Sequence, residues 1–414
     1  MARKLNRRQV LGGMGAAGTV SIAGCLDALS GNGGSSGSGD IEPRLGILQP
    51  ESGQLGSLGT PIADGAELPA TQIENNTDLT IDVGREDTET RPEVGVSQAQ
   101  TLVDSGYPAI TGAASSAVTI NIAEDILIPN EVVGISPAST SPDITDMNGD
   151  YLLRTCPSDA WQGDAMAEIA VNDQGASTIA TLYLNNDYGQ GLNEEFVAGC
   201  EDRGAEILGE VSFDSSNTSF TSQLENSAGT DPDMLMLVGY PEAGQVILRE
   251  FYENYDNEMP ILVPDGLIDQ SLPDDVSNPM ENVIGTAPGA DGQGIEDFTS
   301  LYESEYDNAP GVFNAQAYDA SAVLILATLY GGEVDGPTIS QNIREVANPD
   351  GEEVGPGNLA DAVEMAQNGD AINYQGASGP VDFLENGNPS AVTYEIGSYS
   401  ADGYSVERSV TYEA

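Results

Sequence analysis

Two stretches of this chain set small hydroxyl residues where an apolar run gives way to a helical pattern. In "ITGAASSAVT", Gly112 ends the run and Ser115-Ser116 lead into the helical "AVTINIAEDIL". In "VGISPASTSPDIT", Thr140 or Ser141 can cap a helix, Pro142 fits its first position and Asp143 its first turn. The first turn of a helix carries N–H groups without helical partners and a partial positive charge, so two such starts side by side can hold a carboxylate. Three further groups follow apolar runs in the same way: Tyr188 in "NNDYGQG", Tyr240 in "LVGYPEAG" and Asp265 in "ILVPDGLIDQ". A carboxylate beside aromatic faces suits an ammonium group, by ion pairing and by attraction to the rings. The whole set would grip a zwitterion at both ends. Taken singly, each feature also reads as an ordinary cap, a packed tyrosine or a turn; their shared address at the ends of apolar runs is what sets them apart.

The elements that must position these groups alternate. From Glu42 onward, short apolar runs ("RLGILQP", "LTIDVG", "YPAITG", "NEVVGIS", "STIATLYL", "AEILGEVSF", "DMLMLVG") are separated by longer helical patterns, the mark of βα units around parallel sheets. About 370 residues exceed one ordinary core, so an α/β chain of two lobes is expected, each a mostly parallel sheet flanked by helices. A first break falls near Leu153-Arg154, and a return near Ile284-Gly285 follows the Pro/Asn/Asp-rich "SLPDDVSNPMEN". The N-terminal lobe is then 43–153 plus 285–392, and the C-terminal lobe 154–284 plus 393–414, closed by the alternating strands of "AVTYEIGSYSADGYSVERSVTY".

Composition narrows the chemistry. The chain has no histidine, which excludes Ser-His-Asp and Cys-His catalysis and any His-ligated zinc or haem. It lacks a phosphate-cradling loop and a dinucleotide fingerprint. In "DITDMNGDYL", Gly149 is out of place for a calcium loop, so neither metal nor cofactor is expected. With 67 acidic against 12 basic residues, nothing could neutralise a row of phosphates, and nucleic acid is excluded as a partner. Such a surface repels itself in dilute buffer, whereas at 1 M salt the screening length falls to about 3 Å, so a high-salt setting is expected.

Four of the 12 cations, Arg3, Lys4, Arg7 and Arg8, stand in the first eight residues, ahead of a Gly/Ala-rich run that ends at Ile22-Ala23-Gly24-Cys25. A basic start, a weakly apolar run and a small-small-Cys boundary form an export signal. The Arg7-Arg8 pair resembles a twin-arginine signal, and the boundary resembles a lipobox in which Cys25 carries lipid. Residues 1–24 are read as that signal and 25–42 as a Gly/Ser-rich tether to the outer face of the cell membrane. Cys156 and Cys200 remain, either as a disulfide suited to an oxidising compartment or as two buried thiols.

In "ISPASTSPDIT", "NNDYGQGL" and "GYPEAG", with "SGQLGSLG" and "RTCPSDAWQG" in support, the chain resembles the branched-chain amino-acid (leucine/isoleucine/valine-type) solute-binding proteins of ABC transporters, from Arg44 to about Tyr412. The resemblance implies a class I periplasmic-binding-protein fold of two lobes with three crossovers, no catalysis, and a monomer that hands its ligand to a permease and its ATPase. It implies that Ser115, Ser116, Ala138, Ser139 and Thr140 hold a ligand carboxylate, while Tyr188, Tyr240 and Asp265 hold the amine or line the opposing wall. Leu58 stands where leucine binders of the family often carry tyrosine, and Asp265 where they carry glutamate. Binding of amides, urea or aromatic acids, or a sensing role beside a membrane signalling partner, are the alternatives.

Overall fold

The structure, a computed structural model, describes residues 41–413 except 148, 256, 257 and 349. The expected signal, Cys25 and the expected tether as far as residue 40 lie outside the described residues.

The first sheet is fully parallel, in the order β2-β1-β3-β4-β5, built from β1 (Arg44–Gln49), β2 (Asp82–Asp87), β3 (Ala109–Gly112), β4 (Val133–Ser136) and β5 (Leu152–Arg154). β1, β3 and β4 are buried along nearly their whole length and read as continuous apolar runs, as strands covered by helices on both faces must. The second sheet contains β6 (Thr178–Leu184), β7 (Glu206–Phe213), β8 (Met234–Val238), β9 (Ile261–Val263), β10 (Val283–Pro288), β13 (Ala391–Ser400) and β14 (Gly403–Glu413). Its order is β14-β13-β10-β9-β8-β6-β7; five strands run parallel, and the C-terminal hairpin β13–β14 adds antiparallel to β10. A parallel pair, β11 (Glu352–Val354) and β12 (Ile372–Tyr374), stands apart.

The chain crosses between the sheets three times: after Arg154, after Pro288 and before Ala391. The second crossing corrects the expected return at Ile284-Gly285. Residues 285–288 belong to β10, which pairs with β9 on one side and with β13 on the other, down to Pro288 opposite Tyr394. The Pro/Asn/Asp-rich stretch that suggested a linker folds instead as the short helix Leu272–Val276 and a turn ahead of β10. For the same reason Ala391 and Val392 belong to the second sheet.

After the second crossing the helix Asn314–Gly331 is buried throughout all but its last turn, wedged against the helix Gly56–Asn76 and the strands β1, β3 and β4. Its length and its neighbours explain an apolar run that never reaches solvent. Among the described residues no helix is long and apolar enough to cross a membrane. Cys156 and Cys200 are both buried and unbonded, which removes the disulfide alternative. Cys156 sits just past β5 and Cys200 inside the helix Asp187–Asp202, and burial pushes both thiols up to about 12.

Candidate functional site

All the loops singled out above converge between the two sheets, at the C-terminal ends of the strands. From the first sheet, β3 ends at Gly112, whose φ of 149° and close approach to the Leu48 carbonyl leave no room for a side chain: a Cβ would stand 2.1 Å from that oxygen. The turn delivers Ser115 to the cap of the helix Ser116–Ile122. β4 delivers the loop 137–141, and Ser141 caps a short 3-10 turn, Pro142–Asp146, accepting from the Asp143 N–H at 3.3 Å. A full helix was the expectation there; the five-residue turn makes individual N–H and hydroxyl groups, rather than an extended dipole, the available anion donors.

The two loops are laced together. The Ser136 hydroxyl donates to the Ala113 carbonyl at 2.6 Å, and the Ser139 hydroxyl reaches the carbonyls of Ala113 (2.9 Å) and Ala114 (3.1 Å) and the Thr119 hydroxyl (2.7 Å). Ser116 Oγ accepts from the Ser141 N–H at 3.3 Å. Ser139 therefore braces the wall, and its hydroxyl is consumed within the first lobe.

The second lobe supplies the facing side. Asn186 caps the helix Asp187–Asp202 by accepting from the Gly189 N–H at 2.9 Å, which sets Tyr188 in the first turn. Tyr240 precedes Pro241, the first residue of the next long helix, and Asp265 opens a single turn after β9. The Tyr188 and Tyr240 rings stack 5.5 Å apart, 3° from parallel. Tyr188 donates to Asp265 at 3.3 Å and accepts from the Gly266 N–H at 3.2 Å; the Tyr240 hydroxyl meets Ser115 Oγ across the gap at 3.3 Å.

Between these groups lies a small cavity. Leu55, Leu58, Gly59, Ile62, Ala114, Ser116, Ala138 and Phe313 form its first-lobe wall, and Tyr188, Tyr240, Asp265 and Gly266 its second-lobe wall. The lips touch: Gln54 Nε2 donates to Glu242 at 2.7 Å and Ser57 Oγ to Asp269 at 2.9 Å. A larger, open groove along Asn76–Thr80 and Ala360–Gln367 holds none of these groups.

Electrostatics mark the same place. Burial pushes the Asp265 carboxyl up to about 6, against the Tyr188 hydrogen bond that favours its charged form. Asp159, wholly buried on the first turn after the first crossing, is raised well above the usual carboxylate range by burial and by repulsion from Asp265. Both Asp159 oxygens, Asp265 Oδ1, Thr140 Oγ1 and Gln162 Oε1 are buried without a hydrogen-bond partner. Carboxylate and amide oxygens only accept, so this corner calls for a group rich in donors. Sequence reasoning missed Asp159, whose place beside Ser158 reads as helix capping, and missed Leu55, Ile62 and Phe313, which nothing but the fold brings together. No cluster of metal-ligating side chains occurs among the described residues.

Two α/β lobes that meet over a small cavity lined from both sides have the architecture of a solute-binding protein. Comparison with known proteins gives the family: residues 42–387 match the periplasmic binding protein model, and the chain belongs to that family, whose members are solute-binding proteins rather than enzymes. It is similar to the chemotactic signal transduction system substrate-binding protein BasB of Halobacterium salinarum, 27% identical over 360 residues, 82% of this chain and 83% of that one. A leucine-, isoleucine-, valine-, threonine- and alanine-binding protein of Pseudomonas aeruginosa is 23% identical over 256 residues, covering 61% and 68%. Among solved structures, the leucine-binding protein LivK of Thermotoga maritima superposes with a TM-score of 0.74 over 89% of this chain and 98% of its own, at 23% identity. A Rhodopseudomonas palustris protein holding benzoate superposes at 0.72 with 17% identity, covering 90% and 98%, so the fold is common to binders of different ligands.

Proposed function

We propose that this protein is an exported, lipid-anchored receptor that closes on a small α-amino acid with an apolar side chain and delivers it to an ABC permease. The observation that carries the reading is the orphaned acceptor corner. Asp159 and Asp265 together present three unpartnered carboxylate oxygens, buried beside two tyrosine rings. An ammonium group brings three donors and a positive charge, which would offset the cost of ionising both acids. An aromatic acid would add a third negative charge to that corner, and urea would bring no charge at all. Next to that corner Ser115, Ser116 and Thr140 suit a carboxylate, and Leu55, Leu58, Ile62 and Phe313, which line the cavity, suit an aliphatic side chain.

Calorimetry in molar KCl against L-leucine, L-isoleucine, L-valine, benzoate and urea tests the ligand class. Binding of at least one aliphatic amino acid is expected; binding of benzoate or urea with none of the three amino acids overturns it. A second reading, ligand sensing for a membrane receptor, is favoured by the similarity to a chemotactic binding protein. Affinity capture from membranes separates the roles, by whether a permease or a signalling receptor is retained in a ligand-dependent way.

A further inference from the structure

Of the eight arginines beyond the signal segment, Arg154 stands apart. Five, Arg44, Arg85, Arg91, Arg203 and Arg408, pair with carboxylates near the surface. Arg249 and Arg344 reach main-chain carbonyls while remaining in contact with solvent. Arg154, the last residue of β5, is wholly buried, and among the described residues no carboxylate lies within ion-pair distance of it. In a chain with 67 acids this is an unexpected place for an unpaired cation. Burying a guanidinium without a counter-ion is strongly unfavourable unless its donors are satisfied and its charge has a use.

Its donors are satisfied by neutral oxygens. Nε donates to Asn388 Oδ1 at 2.8 Å, Nη2 to Thr145 Oγ1 at 2.9 Å, and Nη1 to the carbonyls of Ser139 at 3.2 Å and Ser141 at 2.9 Å. Two of these four acceptors are the main chain of the loop that carries Thr140. In a trans peptide the C=O and the N–H point in opposite directions. Holding the Ser139 carbonyl therefore turns the Thr140 N–H away from the guanidinium, and that N–H has no partner among the described residues. The Thr140 hydroxyl makes no well-formed hydrogen bond, though it lies near enough to the Asp159 carboxyl to favour its charged form. One buried cation thus fixes the loop from behind while its field, unneutralised at contact distance, extends through the loop.

Accepting the amino-acid reading above, we infer that Arg154 is a positioning and specificity-determining residue for the ligand's carboxylate, acting through the 139–141 peptides without touching the ligand. It supplies the positive potential that lets so acidic a protein prefer an anionic group at one end of its cavity. Asp159, whose charge Arg154 also feels, offers the competing account: a counter-ion that serves the amine end.

The two accounts separate with paired probes, L-leucine and L-leucinamide, which share the ammonium and differ in the carboxylate. Affinities are measured by calorimetry in molar KCl for the wild-type chain, Arg154→Met and Arg154→Lys, with near-ultraviolet circular dichroism to verify folding. The expected result is a wild-type preference for leucine over leucinamide that falls by about tenfold or more in Arg154→Met, with leucinamide affinity little changed. Arg154→Lys, which keeps the charge but not the fork, should retain part of the preference. Equal losses for both probes, or an unchanged preference in a folded variant, would overturn the inference. If Arg154→Met does not fold, the Lys variant decides, since a preference identical to wild type would show that the fork on the loop carbonyls is immaterial. Failure of the wild-type chain to bind either probe would overturn the amino-acid reading itself, and this inference with it.

Discussion

Replacing Asp265 by Asn should make the ligand-free protein more stable and the liganded protein less so. The carboxyl stands near 6 rather than 3.8 because it is buried, and each tenfold change in proton affinity is worth about 1.4 kcal/mol, so carrying its charge in the fold costs about 3 kcal/mol at neutral pH. The sign follows from proton counting: between pH 4 and 6 the folded state holds a proton that the unfolded state has released, so stability declines as pH rises through that window. The amide of the variant cannot ionise, which removes this part of the decline; Asp265→Asn should gain up to about 3 kcal/mol over wild type above pH 6 and nothing at pH 4. Ligand affinity should move the other way. Losing a charge-assisted contact to an ammonium costs about 1.5 to 3 kcal/mol, an affinity loss of one to two orders of magnitude. In the wild type, affinity should also weaken below pH 6, where a proton competes with the ammonium for the same oxygens. Urea unfolding in molar KCl at pH 4, 6 and 8, with calorimetry against L-leucine, reads all three effects. A variant less stable than wild type at pH 8 with undiminished leucine affinity would refute the reasoning.

Other substitutions test other parts of the design. Asp319, also held near 6 by burial, accepts from the Tyr374 hydroxyl, the Ala377 and Ser378 N–H groups and the Ser378 hydroxyl. Asp319→Asn confronts those donors with an amide NH2 and should destabilise the fold by about 2 to 3 kcal/mol, the opposite sign to Asp265→Asn, measured by the same unfolding experiment. A Cβ at Gly191, on the second lobe, would lie 2.8 Å from Pro142 Cδ on the first, so Gly191→Ala should hold the lobes apart. Affinity should drop by the equivalent of about 1 to 3 kcal/mol while the unfolding midpoint of the ligand-free protein stays put. With a formal charge of −55 for the whole chain, circular dichroism should report loss of structure on transfer from molar KCl to about 0.05 M salt.

Much of the fold is legible in the sequence because buried parallel strands leave continuous apolar runs. "STIATLYL" and "DMLMLVG" coincide with β6 and β8. The polar edge strand β2, Asp82–Asp87, is shifted from the apolar "LTIDVG", since an edge has only one neighbour and its half-buried residues need not be apolar. The boundary at residue 285 failed on a related point: Pro and Asn mark a turn without saying whether it lies within a lobe or between lobes. Ser115, Ser116, Tyr188, Tyr240 and Asp265 meet in space because strand C-terminal ends share one address in α/β folds. Phe313 and Leu55 escaped notice because their coming together depends on crossings hundreds of residues apart. The open question of Cys156 and Cys200 could be resolved only in three dimensions, as sulfur-to-sulfur reach has no counterpart in spacing.

The hairpin β13–β14 has a consequence for how the molecule is made. The strand that covers the flank of β10 begins at Ala391, and its own partner ends at Glu413. The second lobe therefore cannot be sealed until synthesis has passed Glu413; until then β10 presents a bare edge open to mispairing. Deleting residues 391–413 would remove no cavity-lining side chain, yet it should yield aggregates instead of a weakened binder. An export route that carries completed, folded cargo would suit such a late-sealing architecture.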